Sequence, residues 1–427
     1  SRKPSESYYD AAAFAAAAYS RFPSLQCIET VFMFDHLPIL PPDSILGLAA
    51  ACRADTNPNK VDLTIGIYMD EAGLCPVFDA VKQAQRALVD EEITKAYIPP
   101  QGDQAFLDGM TDLILGADLL ASRKGAVAAV QTPGGCGAVR LGAEVLKASN
   151  AGGKVWVSDP TWPVHLPLIG SVGLELTQYR YYDPGTHGVN FQGMVDDLTG
   201  ARKGDIVLFH GCCHNPSGAD LNAEQWQVVA QMAAEQGFTP MIDLAYQGFG
   251  DGLEQDVFGL RALVDNTPEV VIAASCSKNM GLYRERTGLA IFVGQDARAA
   301  QATGSQATAA ARRIYSMPPA HGAIIAGRIL SDAKLRQEWQ AELTAMCRRI
   351  NSLRVDFGGR LQAATGRDFG FIAKEKGMFS FLGLSKEQAL QLRSDKGLYM
   401  LDSSRINVAS LNSSNLDKVV DAVVSVL

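Results

Sequence analysis

The sequence predicts an α/β protein: a large domain whose mostly parallel sheet is covered by helices, plus a smaller α+β domain built from the N-terminal segment and the C-terminal part. Between about residues 125 and 295, short apolar runs alternate with amphipathic helical patterns. Such alternation argues for parallel strands joined by crossover helices. Beyond residue 332 the pattern changes to one long helix followed by short strand candidates. At 427 residues and 47% hydrophobic content the chain can bury more than one core.

In chain order, residues 1–32 stand apart. Ala11 to Ala18 is an alanine block broken by Phe14, with Tyr8, Tyr9, Tyr19 and Phe22 around it. The segment reads as an N-terminal extension, either a processed presequence or one of artificial origin, and Met33 as a natural start. Residues 33–42 are expected to form an N-terminal arm. Residues 43–75 and 346–427 are expected to make the small domain, and residues 76–345 the large one. Strand candidates in the large domain are Ala126–Gln131, Lys154–Ser158, Asp205–His210, Thr239–Leu244, Val270–Ser275 and Leu289–Val293. Trp226, Val229, Ala230 and Ala233 recur at helical spacing within Ala223–Gln236. Asn222 with Gln225 forms a capping pair at its start, and Gly237 is a stop. Further on, Asp332–Gly359 reads as a helix, Gly377–Leu384, Gly397–Leu401 and Arg405–Ala409 as strands, and Asn415–Leu427 as a closing helix.

Bulk properties exclude several function classes. The net charge of −8 and pI near 5.4 give nucleic acid no basic surface. No apolar run approaches the length of a membrane span. Eight cysteines without regular spacing fit reduced thiols in a cytoplasmic protein.

The residues that could carry chemistry cluster after strand candidates, where ligands gather in such folds. Lys278 follows the buried run Val270–Ala274, with Ser275, Ser277 and Arg286 around it. Hydroxyls and a guanidinium suit a phosphate, and a desolvated amine suits a Schiff base. Thr132–Ala138 places Gly134, Gly135, Cys136 and Gly137 between a strand and a helix, where amides and a helix N-terminus favour an anion. Arg140 stands where a dinucleotide fingerprint needs a third glycine, so a single phosphate is expected. Asp243 ends a strand, with Tyr246 just beyond; a buried carboxylate there needs a partner, and a protonated pyridine nitrogen would serve. His210, Cys212, Cys213 and His214 tempt a metal reading. The usual zinc spacings are absent, the ligands would point mostly away from one another, and the cysteines are expected to pack. Asn215 lies in a turn signal that can aim an amide into the cleft, and Trp162 on a loop can stack on a flat ring. Arg312 and Arg405 are candidate carboxylate forks.

Taken together, these segments resemble the fold-type I, class I aminotransferases that depend on pyridoxal 5′-phosphate, specifically the aspartate and aromatic amino-acid group. The resemblance runs from Met33 to Leu427 and rests on Gln131–Gly137, Val155–Trp162, Val207–Gly218, Asp243–Phe249, Ser275–Arg286, Tyr315–Gly322 and Arg405–Ala409. It implies that Lys278 is the Schiff-base lysine and proton shuttle. Asp243, backed by His165, would hold the ring-nitrogen proton; Tyr246 and Asn215 would bond the phenolic oxygen; and Trp162 would stack on the ring. Gly134, Gly135, Cys136, Ser275, Ser277 and Arg286 would line the phosphate end, with Tyr97 from a neighbouring subunit. Arg405, Asn215 and the backbone near Gly66 would hold the substrate α-carboxylate. Arg312 of the neighbour would meet a second carboxylate, which implies a homodimer.

The departures bear on substrate. Aspartate-preferring members usually carry lysine at the position of Met69, threonine at that of Cys75 and asparagine at those of Ala96 and Met317. Cys136 replaces a threonine or serine. Apolar groups there loosen the network around Arg312. The expected reaction is therefore a ping-pong transfer from an aromatic or dicarboxylic amino acid to 2-oxoglutarate or a similar 2-oxo acid, leaning to aromatic donors. A strict aspartate aminotransferase is the alternative. A nicotinamide oxidoreductase lacks its fingerprint and leaves Lys278 without a task. A lyase variant would release product without an acceptor, and a non-catalytic descendant would have no need of Lys278, Asp243 and Arg405 together.

Overall fold

The computed structural model describes residues 32–41, 43–149 and 152–427; all but the last residue of the expected extension 1–32 lies outside them. The chain divides at Asp43. In the first unit, a turn over residues 33–36 is held by Asp35 N–H donating to the Phe32 carbonyl (3.1 Å) and Leu37 N–H to that of Phe34 (3.0 Å). Phe34, Ile39 and Leu40 are exposed there.

The second unit, Ser44–Leu427, is built on a seven-stranded sheet. Its strands are β1 (Val127–Pro133), β2 (Val155–Asp159), β3 (Leu176–Arg180), β4 (Ile206–His210), β5 (Thr239–Leu244), β6 (Val270–Ser275) and β7 (Thr287–Val293), in spatial order β1-β7-β6-β5-β4-β2-β3. All neighbours are parallel except β7, which runs antiparallel to β1 and β6. The six expected strands are present. The seventh, β3, has no apolar run in its Leu-Thr-Gln-Tyr-Arg sequence, because an edge strand needs polar groups on its free side.

Alternation along each strand feeds two cores. In β6, Val270, Ile272 and Ala274 join one core, while Val271 and Ala273 join the other. The first is closed by the helices Gln104–Ser122, Ala223–Gln236 and Phe258–Asn266; the second by Gly134–Ala148 and Ala297–Ile314. With both faces covered, β5 and β6 are near-continuous apolar runs, as buried parallel strands should be. The Asn222–Gln225 capping box forms, and Gly237 ends its helix at φ 75°. No helix among the described residues is long and apolar enough to cross a membrane.

A third core gathers Val61 and Leu63 with side chains from Phe357 to Val423. Here the elements differ from expectation. The long helix is Ala333–Thr365, passing the expected stop at Gly359 and ending at Gly366, φ 70°. Gly358 is a point of close approach instead, since a Cβ there would sit 2.8 Å from the Phe369 carbonyl oxygen. The expected strands shorten to Phe379–Phe381, Leu398–Tyr399 and Arg405–Asn407, and the closing helix to Leu416–Val424.

Arg354 explains part of the shortening. It is 1% exposed and donates to the carbonyls of Ile372 (3.1 Å), Lys376 (3.2 Å), Gly377 (2.7 Å) and Phe379. The carbonyls of Ile372, Lys376 and Gly377, before the strand begins at Phe379, are thus turned toward Arg354 rather than toward a neighbouring strand. Glu375 pairs with it at 3.3 Å and also accepts from Ser380; burial pushes the Glu375 carboxyl up to about 8 against the pull of Arg354 and Ser380. Removing one partner of a buried pair strands the other. Arg354→Met is therefore expected to cost about 3–5 kcal/mol, read from the urea midpoint; an unshifted midpoint would refute this role.

Candidate active site

The carboxyl ends of β4, β5 and β6 and the turn after β1 surround a cavity of about 290 Å³. The candidates Gly66, Gly135, Cys136, Trp162, Asn215, Asp243, Tyr246, Ser275, Ser277, Lys278, Arg286 and Arg405 all line it.

At one end lies an anion cradle. Gly134 opens the helix Gly134–Ala148 at φ 71°, and a Cβ there would come within 2.6 Å of the Arg286 guanidinium. Glycine lets that guanidinium reach the helix N-terminus, where backbone amides favour negative charge. Ser275 Oγ donates to Ser277 Oγ at 3.0 Å, and the Ser277 N–H donates to Ser275 Oγ at 3.1 Å. Two hydroxyls, a guanidinium and a helix N-terminus suit a phosphate.

In the middle stand an amine and a carboxylate. Asp243 on β5 is 8% exposed, and its Oδ2 meets His165 Nε2 at 3.0 Å. His165 Nδ1 meets Thr161 Oγ1 at 2.8 Å, and Thr161 Oγ1 meets His210 Nε2 at 3.1 Å. Burial and His165 bring His210 down to about 3, against the field of Asp243, so His210 is neutral in ordinary buffers. Burial raises the Asp243 carboxyl, but its bond to His165 and the fields of His165, His210 and Lys278 outweigh that, and it lies below the usual aspartate range. Burial lowers the Lys278 amine, with Arg286 acting the same way and Asp243 and Cys136 opposing. Its Nζ sits 4.6 Å from the centre of the Tyr246 ring. Burial pushes the Tyr246 hydroxyl up against the pull of Arg405, which keeps it a proton donor. Trp162 meets His165 edge to face at 5.2 Å.

At the far end Arg405 is 2% exposed. Its Nη2 donates to the Thr64 carbonyl at 2.6 Å and its Nη1 to Asn215 Oδ1 at 3.4 Å. The guanidinium carbon lies 4.2 Å from the centre of the Phe379 ring. Its Nε has no hydrogen-bond partner, and burial brings the group down to about 10 against the field of Tyr246. A buried cation facing a cavity without a carboxylate beside it is a receptor for one. Gly66 is required here, because a Cβ would lie 2.6 Å from Phe379.

Tyr97, 89% exposed, and Arg312, exposed and donating to Ser316 Oγ at 2.7 Å, do not line the cavity. Nor do Met69, Cys75, Ala96 or Met317; of the departures from the family pattern, Cys136 alone faces it. Phe379, Tyr283 and Ile65 line it without having been singled out. Phe379 reads in the sequence as strand core, and only its place beneath Arg405 gives it a task. Cys212 and Cys213 differ from the sequence expectation. Their sulfurs do not diverge: they lie with an Asp256 carboxylate oxygen within 4.8 Å of one another. Cys213 adopts φ 52°, which breaks the alternation of an extended chain.

A phosphate cradle, an amine beside a carboxylate and a buried guanidinium define a site for a phosphorylated ring and a carboxylate-bearing amine substrate. The chain belongs to the family described as aminotransferase class I and II, whose profile matches residues 58–423. It is 44% identical over 396 residues to an aspartate aminotransferase of Escherichia coli, covering 92% of this chain and 100% of that protein. It is 43% identical over 395 residues to an aromatic-amino-acid aminotransferase of Paracoccus denitrificans, with the same coverage. A crystal structure of an aromatic-amino-acid aminotransferase from Burkholderia pseudomallei, described as covalently bound to pyridoxal phosphate, superposes with a TM-score of 0.90 at 40% identity, covering 93% of this chain and 100% of that one.

The residues fit pyridoxal phosphate: the cradle that a Cβ at Gly134 would crowd suits its phosphate, and the ionised Asp243 carboxylate would pair with a protonated ring nitrogen.

Because the Asp243 carboxyl is lower in the folded chain than in the unfolded one, it contributes stability above the ordinary aspartate range. That contribution is lost as pH falls through the folded value. Asp243→Asn is expected to be less stable than the parent at about pH 7, with the gap closing in acid. Urea midpoints across pH test this, and a gap that widens in acid would be the wrong sign.

Proposed function

We propose that this chain is a pyridoxal-phosphate-dependent aminotransferase that moves an α-amino group from an aromatic or dicarboxylic amino acid to a 2-oxo acid such as 2-oxoglutarate. The observation that carries the reading is the placement of Lys278 and Asp243 in one cavity, between a phosphate cradle and an unpaired buried guanidinium. Bound there, pyridoxal phosphate supplies an electron sink that lets a proton leave the substrate Cα.

The chain's residues do the rest. Arg405 and Asn215 grip the α-carboxylate and fix the Cα bonds relative to Lys278. The Lys278 amine, lowered by burial, is poised to take the Cα proton and return it elsewhere. Asp243, kept ionised through His165, holds a proton on the ring nitrogen. The Tyr246 hydroxyl, kept protonated, donates to the phenolic oxygen together with the Asn215 amide. Ser275, Ser277, Gly134, Gly135 and Arg286 hold the phosphate.

The same reading makes the protein a homodimer: Tyr97 and Arg312 stand outside the single-chain cavity, on surfaces from which a second copy would supply them. A cytoplasmic location belongs to the same reading, and the free thiols among the described residues suit a reducing compartment. Residues 43–75 and 346–427 act as a small domain against the larger 76–345.

The lean is toward aromatic donors. Cys136 softens the cofactor wall, Ile65 and Phe379 offer apolar surface, and Arg312 has Ser316 rather than an asparagine or lysine network beside it. Strict aspartate specificity is the competing reading.

Lys278→Ala is expected to lower turnover by at least about 10²–10⁴-fold; substantial transamination in that variant would sink the assignment. The ratio of kcat/KM for tyrosine or phenylalanine to that for aspartate, with 2-oxoglutarate as common acceptor, is expected to exceed one. A ratio far below one would assign strict aspartate specificity.

A further inference from the structure

We propose that Cys212, Cys213 and Asp256 form a second site, separate from the amine and phosphate groups, that binds one thiophilic divalent cation of the zinc(II) and cadmium(II) class.

Neighbouring side chains on an extended chain point to opposite sides, so two adjacent thiols rarely serve one ligand. Here Cys213 is left-handed at φ 52°, a conformation that costs a non-glycine residue about 1–2 kcal/mol. It turns both sulfurs to one point. Asp256 reaches that point from a separate turn, and the three ligand atoms lie within 4.8 Å of one another. A tetrahedral site with metal–sulfur bonds of about 2.3 Å and metal–oxygen bonds of about 2.0–2.2 Å asks for separations of roughly 3.5 Å. Each ligand atom therefore needs to move by about an ångström or less to close the site.

Both arms are held in place. The Asp256 carboxylate accepts from the backbone N–H groups of Gly248 (2.8 Å), Gly250 (3.0 Å) and Asp251 (2.7 Å). These fix its direction and leave one lone pair, on Oδ1, free. The Cys213 and His214 N–H groups donate to Asp220 at 2.6 and 2.8 Å, pinning the thiol loop. All three ligands are buried, yet Cys212 and Asp256 also line a second cavity, which offers a route in and room for a water as fourth ligand. Binding replaces two S–H protons by the cation. The protons go to solvent, and no oxidant or reductant takes part.

The site reports to the cavity above it. Cys213 Sγ lies 4.0 Å from the Tyr246 carbonyl oxygen, and the same loop runs on to Asn215, so an occupied site alters the residues assigned to the phenolic oxygen.

Titrating the pyridoxal-phosphate-loaded enzyme with cadmium(II) tests this, read by the ultraviolet cadmium–thiolate band and by proton release. The expected result is one equivalent per chain and two protons per cation. Affinity should fall at least tenfold in Cys212→Ser and in Cys213→Ser and stay unchanged in Cys75→Ser, which removes an exposed thiol. Cadmium-113 NMR of the unsubstituted chain reads the donor set directly, should a serine variant fail to fold, and two sulfurs plus oxygen are expected. No saturable binding, binding that survives both serine substitutions, or a donor set with fewer than two sulfurs overturns the proposal. None of these readouts depends on transamination, so failure here and failure of the aminotransferase reading are distinguishable.

Discussion

The 3.0 Å hydrogen bond between Asp243 and His165 is the interaction on which the site depends. A carboxylate at the end of a central strand loses most of its hydration, and an unpaired one would neutralise itself by taking up a proton. His165, itself bonded to Thr161, supplies the missing partner. With the carboxylate held ionised, the strand end becomes a fixed negative charge inside a cavity that otherwise presents cations: Lys278, Arg286 and Arg405. Burial drives Lys278 and Arg405 down, and Asp243 opposes that for Lys278. An amine shifted downward while still facing a carboxylate can be neutral or charged at modest cost, which is what proton transfer at a carbon requires.

The two ends of the cavity solve different problems. The phosphate end uses glycine and backbone, because the helix N-terminus must come close to the ligand and a side chain at Gly134 would displace Arg286. The carboxylate end uses aromatic support. Arg405 lies on the Phe379 ring, and the strand carrying Phe379 is tied down by Arg354 through the Phe379 carbonyl. Thus the buried Arg354–Glu375 pair, which does not line the cavity, helps hold the ring on which the guanidinium lies.

Much of this was legible in the chain. Strands β4 and β6 are apolar runs ending in His210 and Ser275, and β5 carries Asp243 just before its end, so both their existence and the functional role of their ends could be read from pattern. Lys278, Asp243 and Asn215 fall at those ends. Phe379 was not legible, since an aromatic in a short strand looks like core until Arg405 is found above it. β3 was hidden by its polar edge, and the end of the long helix by the glycine pair Gly358 and Gly359, of which Gly358 serves packing rather than termination. The nearness of Cys212 to Cys213 was hidden by a backbone angle that no residue type announces.

That last point extends to the whole site. Among the described residues, His187, Cys213, Arg286, Ser316 and Ser404 are the non-glycine positions with positive φ. Neither asparagine nor aspartate, the side chains that tolerate that region best, is among them. Arg286 is the phosphate guanidinium, Ser404 precedes Arg405, Ser316 takes the hydrogen bond of Arg312, and Cys213 turns the thiol pair beside Asn215. Only His187, stacked on Phe371 at 3.8 Å, lies away from a candidate ligand group. Each left-handed residue costs free energy that surrounding contacts must offset. Strain placed beside three arginines and the thiol pair marks where the chain fixes a direction that ordinary backbone would not hold.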